Sequence, residues 1–76
     1  MLSQRISGAK LRRIREQRGL KVAAVADAVG RTPSNIYKIE QGKAQPSSEV
    51  FIRLKTLLDI DDSELVDEKA GAGSAA

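Results

Sequence analysis

Apolar residues recur at helical spacing along this chain, and each stretch closes on a stop signal. In SGAKLRRIREQRG, Leu11 and Ile14 lie three apart on one face and the remainder is mostly charged. Ser7 stands where a cap is wanted, and Gly19 suits the left-handed residue just past the end. Leu20 then turns back toward the core. KVAAVADAVG predicts a short second helix over Val22 to Val29, with Val25, Ala26 and Val29 inward and Gly30 ending it. RTPSNIYKIEQG predicts a third. Thr32 caps it, Pro33 sits in the first turn where its missing N–H costs nothing, and Ile36 and Ile39 form the inward stripe before Gly42. Beyond the KAQP loop, Ser47 predicts the cap of a fourth helix running through Leu58. Glu49 in its first turn complements the helix dipole, and Phe51, Leu54 and Leu58 form its stripe. Ile60 lies in the next link, and DDSELVDE supports a short fifth helix with Leu65 inward. No stretch alternates as a strand does, so the expected class is all-α, a compact five-helix domain over residues 1–66. The small residues of KAGAGSAA make 67–76 a tail or the start of a linker.

Composition narrows the chemistry. A chain of 76 residues supports one small domain. It has no cysteine and no histidine, which removes disulfides, the usual metal ligands and the commonest general base. The carboxylates gather in DIDDSELVDE, which reads as a solvated face without calcium-loop spacing. No catalytic residue, metal or cofactor is therefore expected, and no small-molecule substrate. No apolar run nears the ~20 residues of a membrane span, and MLSQRISGAK lacks a signal-peptide apolar block. A cytoplasmic location is the default expectation.

Charge is unevenly placed. The net charge of +3 divides into +7 over residues 1–46 and −4 over 47–76. A basic half suits a polyanion, although a surface tuned for solubility would look the same by charge alone. Tyr37 and Phe51 are the only aromatics. Single-stranded nucleic acid is usually held on several stacking rings, so duplex DNA is the favoured polyanion.

Only Gly30 to Thr32 separate the second and third helices, which is helix-turn-helix spacing. Counting about 100° per residue from Pro33, the two isoleucines centre near 270°. Pro33, Ser34, Tyr37 and Lys38 fall on the other side, with Asn35 at the flank. A major groove about 12 Å wide admits such a helix. Asn35 can pair with adenine, and Lys38 can donate to guanine O6 or N7. Ser34 can serve a base or a phosphate, and Tyr37 a thymine methyl or a phosphate. Lys21, Arg31, Thr32, Lys43 and Gln45 are the candidates for phosphate contact. The same side chains would also serve simply to solvate an exposed face.

The run LRRIREQRGLKVAAVADAVGRTPSNIYKIEQGKAQPSSEVFIRLKTLLDIDDSEL resembles, without a gap, the lambda-repressor-like helix-turn-helix family of the Cro/C1 (XRE) type. The likeness covers Leu11 to Leu65. It rests on RGL, VADAVG and IYKIEQGKAQPS standing at the family's distances. The resemblance implies a five-helix domain that binds operator DNA, commonly as a homodimer on two half-sites, and acts most often as a repressor. It implies a structural ion pair between Arg15 and Glu40. It places Pro33, Ser34, Asn35, Tyr37 and Lys38 at base-facing positions, and Gly42 to Gln45 in a phosphate-gripping loop. The chain departs from the family where Lys21 and Val22 replace a Ser-Gln opening of the second helix, which removes a serine cap worth about 1 kcal/mol. Arg31 stands where an apolar residue is usual. Ser48, Lys55 and Asp62 replace apolar positions.

Apolar residues are left over on the fourth helix. Val50 and Leu57 share a face there and are the candidate dimer surface. They also motivate an alternative, a protein–protein interaction module that reuses the fold.

Overall fold

The computed structural model describes residues 5–66. Residues 67–76, expected to be a tail or linker, lie outside the described residues. Five helices follow one another: α1 (Gly8–Gln17), α2 (Val22–Val29), α3 (Pro33–Glu40), α4 (Ser48–Leu58) and α5 (Asp62–Leu65). No strand occurs among the described residues; the one extended pairing is an isolated antiparallel bridge between Ile6 and Val66.

Local chemistry sets the helix starts. The hydroxyls of Ser7, Thr32 and Ser47 accept from the backbone N–H of Lys10, Asn35 and Val50 at 3.2, 3.2 and 3.3 Å. Each satisfies one of the N–H groups that a first turn leaves without a partner. α2 begins at Lys21 with no side-chain cap, as the loss of the serine implies. Two helix ends are closed by arginines from elsewhere in the chain. Arg18 donates through Nε and Nη2 to the Leu58 carbonyl at 3.1 and 2.8 Å, closing α4. Arg53 reaches the Val29 carbonyl at 3.4 Å, closing α2. Cations at helix C-termini also complement the helix dipole.

The core is wholly apolar among the described residues. Leu11, Val25, Val29, Ile36, Ile39, Leu54, Leu58 and Leu65 have no exposed surface, and Ile6, Val22, Ala26 and Val50 are nearly as deep. Each buried aliphatic contributes on the order of 1.5–3 kcal/mol, so any one of them is a large share of a small domain's stability. α2 lies at the centre, packed against α3 on one side and α4 on the other, while α1 packs on α3 and α5.

Two features of α4 and α5 differ from the sequence reading. Val50 is in the core at 2% exposure and Leu57 is half-buried against it, so this pair is not an exposed seam. The inward stripe is Val50, Leu54, Leu58, at i, i+4, i+8, with Phe51 half-buried beside it. Both stripes satisfy helical periodicity; packing against α2 selects the first. The polar replacements Lys55 and Asp62 pair with each other across the α4–α5 turn. The Lys55 ammonium also stands 4.8 Å over the Phe51 ring. Two positions that look costly singly thus satisfy one another.

The start of the domain is fastened to its end. Ser7 N–H donates to the Leu65 carbonyl at 2.7 Å and Lys10 Nζ to the Val66 carbonyl at 3.0 Å. Gly8 then passes so close to the end of α3 that a Cβ there would lie 2.2 Å from the Glu40 carbonyl oxygen.

Candidate nucleic-acid interface

The α2–α3 turn is built from backbone bonds. Gly30 takes φ +74°, and Arg31 N–H donates to the Ala26 carbonyl at 2.8 Å. This is the left-handed closure that glycine permits at no steric cost. Thr32 caps α3 at once and Pro33 occupies its first turn. The chain therefore turns from one helix into the next within three residues, and the cap fixes where α3 starts.

Three constraints seat α3. Ile36 and Ile39 are completely buried. At its end, Arg15 Nε donates to Glu40 Oε2 at 2.6 Å and Nη2 to Oε1 at 3.3 Å. Arg15 Nη1 also donates to the Leu20 carbonyl at 2.9 Å, which ties the α1–α2 link into the same contact. The side chains are 11% and 5% exposed. This is the pair implied by the family resemblance. The Glu40 hydrogen bond, against the opposing effect of burial, holds the Arg15 guanidinium above its ordinary pKa. A two-pronged bond fixes the rotation of α3 as well as its distance from α1.

The opposite face of α3 is open. Pro33, Ser34, Tyr37 and Lys38 are exposed, Tyr37 at 52%, and Asn35 is half-buried at the flank. Lys38 makes no ion pair among the described residues. Tyr37 borders a shallow cleft with Arg12, Arg15, Glu40 and Gln41. The base-facing candidates therefore lie on one small face, with Asn35 the least accessible of them.

The phosphate candidates flank this face. Lys21 is exposed at the uncapped start of α2. Arg31 is exposed in the turn, its guanidinium 3.4 Å from the Gly30 carbonyl, and does not cover the core. Thr32 is exposed, its hydroxyl engaged as the α3 cap. Lys43 is exposed, but its backbone N–H and that of Ala44 both donate to the Lys38 carbonyl, at 2.8 and 3.3 Å. The loop thus offers an anion its side chains and not these two amides. Gln45 has a role that sequence reading did not find: its Oε1 accepts from Ile6 N–H at 2.9 Å. No local signal announces a bond spanning 39 residues.

Among the described residues no cluster of acids could hold a metal ion, and no helix is long and apolar enough to cross a membrane.

Comparison with known proteins matches residues 8–67 to the helix-turn-helix domain family. A protein of Methanococcus maripaludis whose name carries the words HTH-type transcriptional regulatory protein is 40% identical over 55 residues, 72% of this chain and 17% of that protein. A similarly named protein of Methanocaldococcus jannaschii is 34% identical over 56 residues. The chain thus spans less than a fifth of the length of these relatives. Among solved structures, the restriction-modification controller protein C.AhdI of Aeromonas hydrophila superimposes with a TM-score of 0.69 at 32% identity, covering 75% of this chain and 86% of that one. The clp gene regulator ClgR of Corynebacterium glutamicum gives 0.70 at 28%, covering 91% and 87%. The P22 c2 repressor, solved with a synthetic operator, shares the fold at 24% identity and a TM-score of 0.69, covering 71% of this chain and 82% of that one.

Proposed function

The chain belongs to the helix-turn-helix domain family, of the lambda-repressor-like Cro/C1 type, and from that premise we propose that it reads a specific duplex DNA sequence and represses transcription there. The observation that carries this reading is the seating of α3. Two buried isoleucines and a two-pronged ion pair hold the helix, and Ser34, Tyr37 and Lys38 are left exposed. Lys38, Tyr37 and Ser34 contact base edges in the major groove, Asn35 reads from the flank, and Pro33 rests against the groove wall. Lys21, Arg31, Thr32, Lys43 and the Gln45 amide contact phosphates on either side.

One short helix reads few base pairs. We therefore place two copies of the chain on two half-sites about one helical turn apart. Residues 1–66 are the DNA-binding unit, and it works in the cytoplasm without enzymatic activity.

Selection from a pool of random duplexes, followed by anisotropy titration of the winners over a salt series, tests this. The expected result is a half-site motif, arranged as a palindrome, bound with an affinity that falls steeply with salt. Equal affinity for every duplex, or none for any, removes the proposal.

A further inference from the structure

Resting on that DNA-binding reading, we infer that the segment before α1 adds a phosphate contact of its own: Arg5, delivered to the edge of the duplex by the Ile6–Gln45 hydrogen bond. The bond joins this segment to the loop that carries Lys43. Ile6 is buried at 4% exposure and bridged to Val66, Ser7 N–H is held by Leu65, and Gly8 lies against the end of α3. These anchors fix the course of the backbone over the C-terminal end of α3. Arg5 is one Cα step, ~3.8 Å, further out from Ile6. It is exposed and engaged in no ion pair or hydrogen bond among the described residues.

The same bond orients Gln45. With Oε1 committed to Ile6, the two N–H donors of its amide remain for an anion. Arg5, the Gln45 amide and Lys43 together offer hydrogen-bond donors and two positive charges on neighbouring stretches of chain, which suits a phosphodiester and carries no base information. Gln45 is thus a positioning residue for Arg5 as well as a contact.

The test is a salt series with the whole chain and a random-sequence duplex of about 20 base pairs, long enough for one site of this class. Arg5→Ala should bind more weakly, with a log–log salt slope shallower by about 0.9, the value of one phosphate contact. Arg5→Lys should restore the slope. The Gln45 role is read by repeating Arg5→Ala in two backgrounds. In Gln45→Glu, which keeps an oxygen for Ile6 N–H, the Arg5 effect should persist. In Gln45→Ala it should vanish. Circular dichroism melting identifies any variant that has lost its fold. An unchanged slope in Arg5→Ala overturns the contact. A full Arg5 effect in folded Gln45→Ala overturns the positioning. A wild-type chain that binds no duplex fails earlier, at the reading on which this one rests.

Discussion

Arg15 on α1 and Glu40 at the end of α3 meet through two parallel hydrogen bonds, 2.6 and 3.3 Å long, in a site almost closed to water. Removing one partner strands the other, which costs about 3–5 kcal/mol at a buried site. Glu40→Ala and Arg15→Ala should each lower the denaturation midpoint strongly. The apolar double variant Arg15→Met with Glu40→Leu should recover much of that loss. The pair raises the folded-state pKa of Arg15, so its contribution is complete below the ordinary guanidinium value and is lost only as pH rises through the raised one. A double-mutant cycle by urea unfolding checks the coupling.

Gly8→Ala is expected to destabilise by about 1–3 kcal/mol, the range for forced overpacking. Its Cβ would meet backbone oxygens of Glu40 and Ile39 at 2.2 and 2.5 Å, which no rotamer change can relieve. The shift would pass into α3, so duplex affinity should fall in Gly8→Ala even at temperatures where the chain stays folded. Thermal melting and anisotropy on the same sample decide it.

Lys21→Ser restores a side-chain cap to α2. The fold should gain about 1 kcal/mol, while duplex affinity drops through the loss of one cation. Opposite movement of stability and affinity is the signature; parallel movement would show that Lys21 serves the fold alone.

Lys38 and Lys43 should separate by kind. Lys38→Ala should flatten the preference among duplexes in a binding-site selection, with a discrimination loss of about 1–3 kcal/mol at one base pair. Lys43→Ala should weaken all duplexes alike and reduce the salt slope by about 1.

The helices were legible because their signals are local. Ser7, Thr32 with Pro33, and Ser47 mark starts that the hydrogen bonds reproduce. Gly30 marks the turn, and Val25, Val29, Ile36, Ile39, Leu54 and Leu58 mark the core. The candidate groove face was legible for the same reason, since periodicity around Ile36 and Ile39 leaves Ser34, Tyr37 and Lys38 outside. The depth of Val50 was not. On α4 two stripes fit equally, and only the placement of α2 distinguishes them. Ile6, Gly8 and the Gln45 bond were invisible because each depends on a partner distant along the chain. Lys55 and Asp62 read as defects singly, and their pairing appears only when α5 folds back on α4.

The bridge between Ile6 and Val66 leaves the folded unit's two chain ends side by side. Such a unit can be spliced into an exposed turn of an unrelated host, or its ends ligated and new ones opened elsewhere, without unpicking a helix. The loop from Lys43 to Pro46 is the wrong place to cut, because it holds the Ile6 clasp, and so is the α1–α2 link, whose Leu20 carbonyl is held by Arg15.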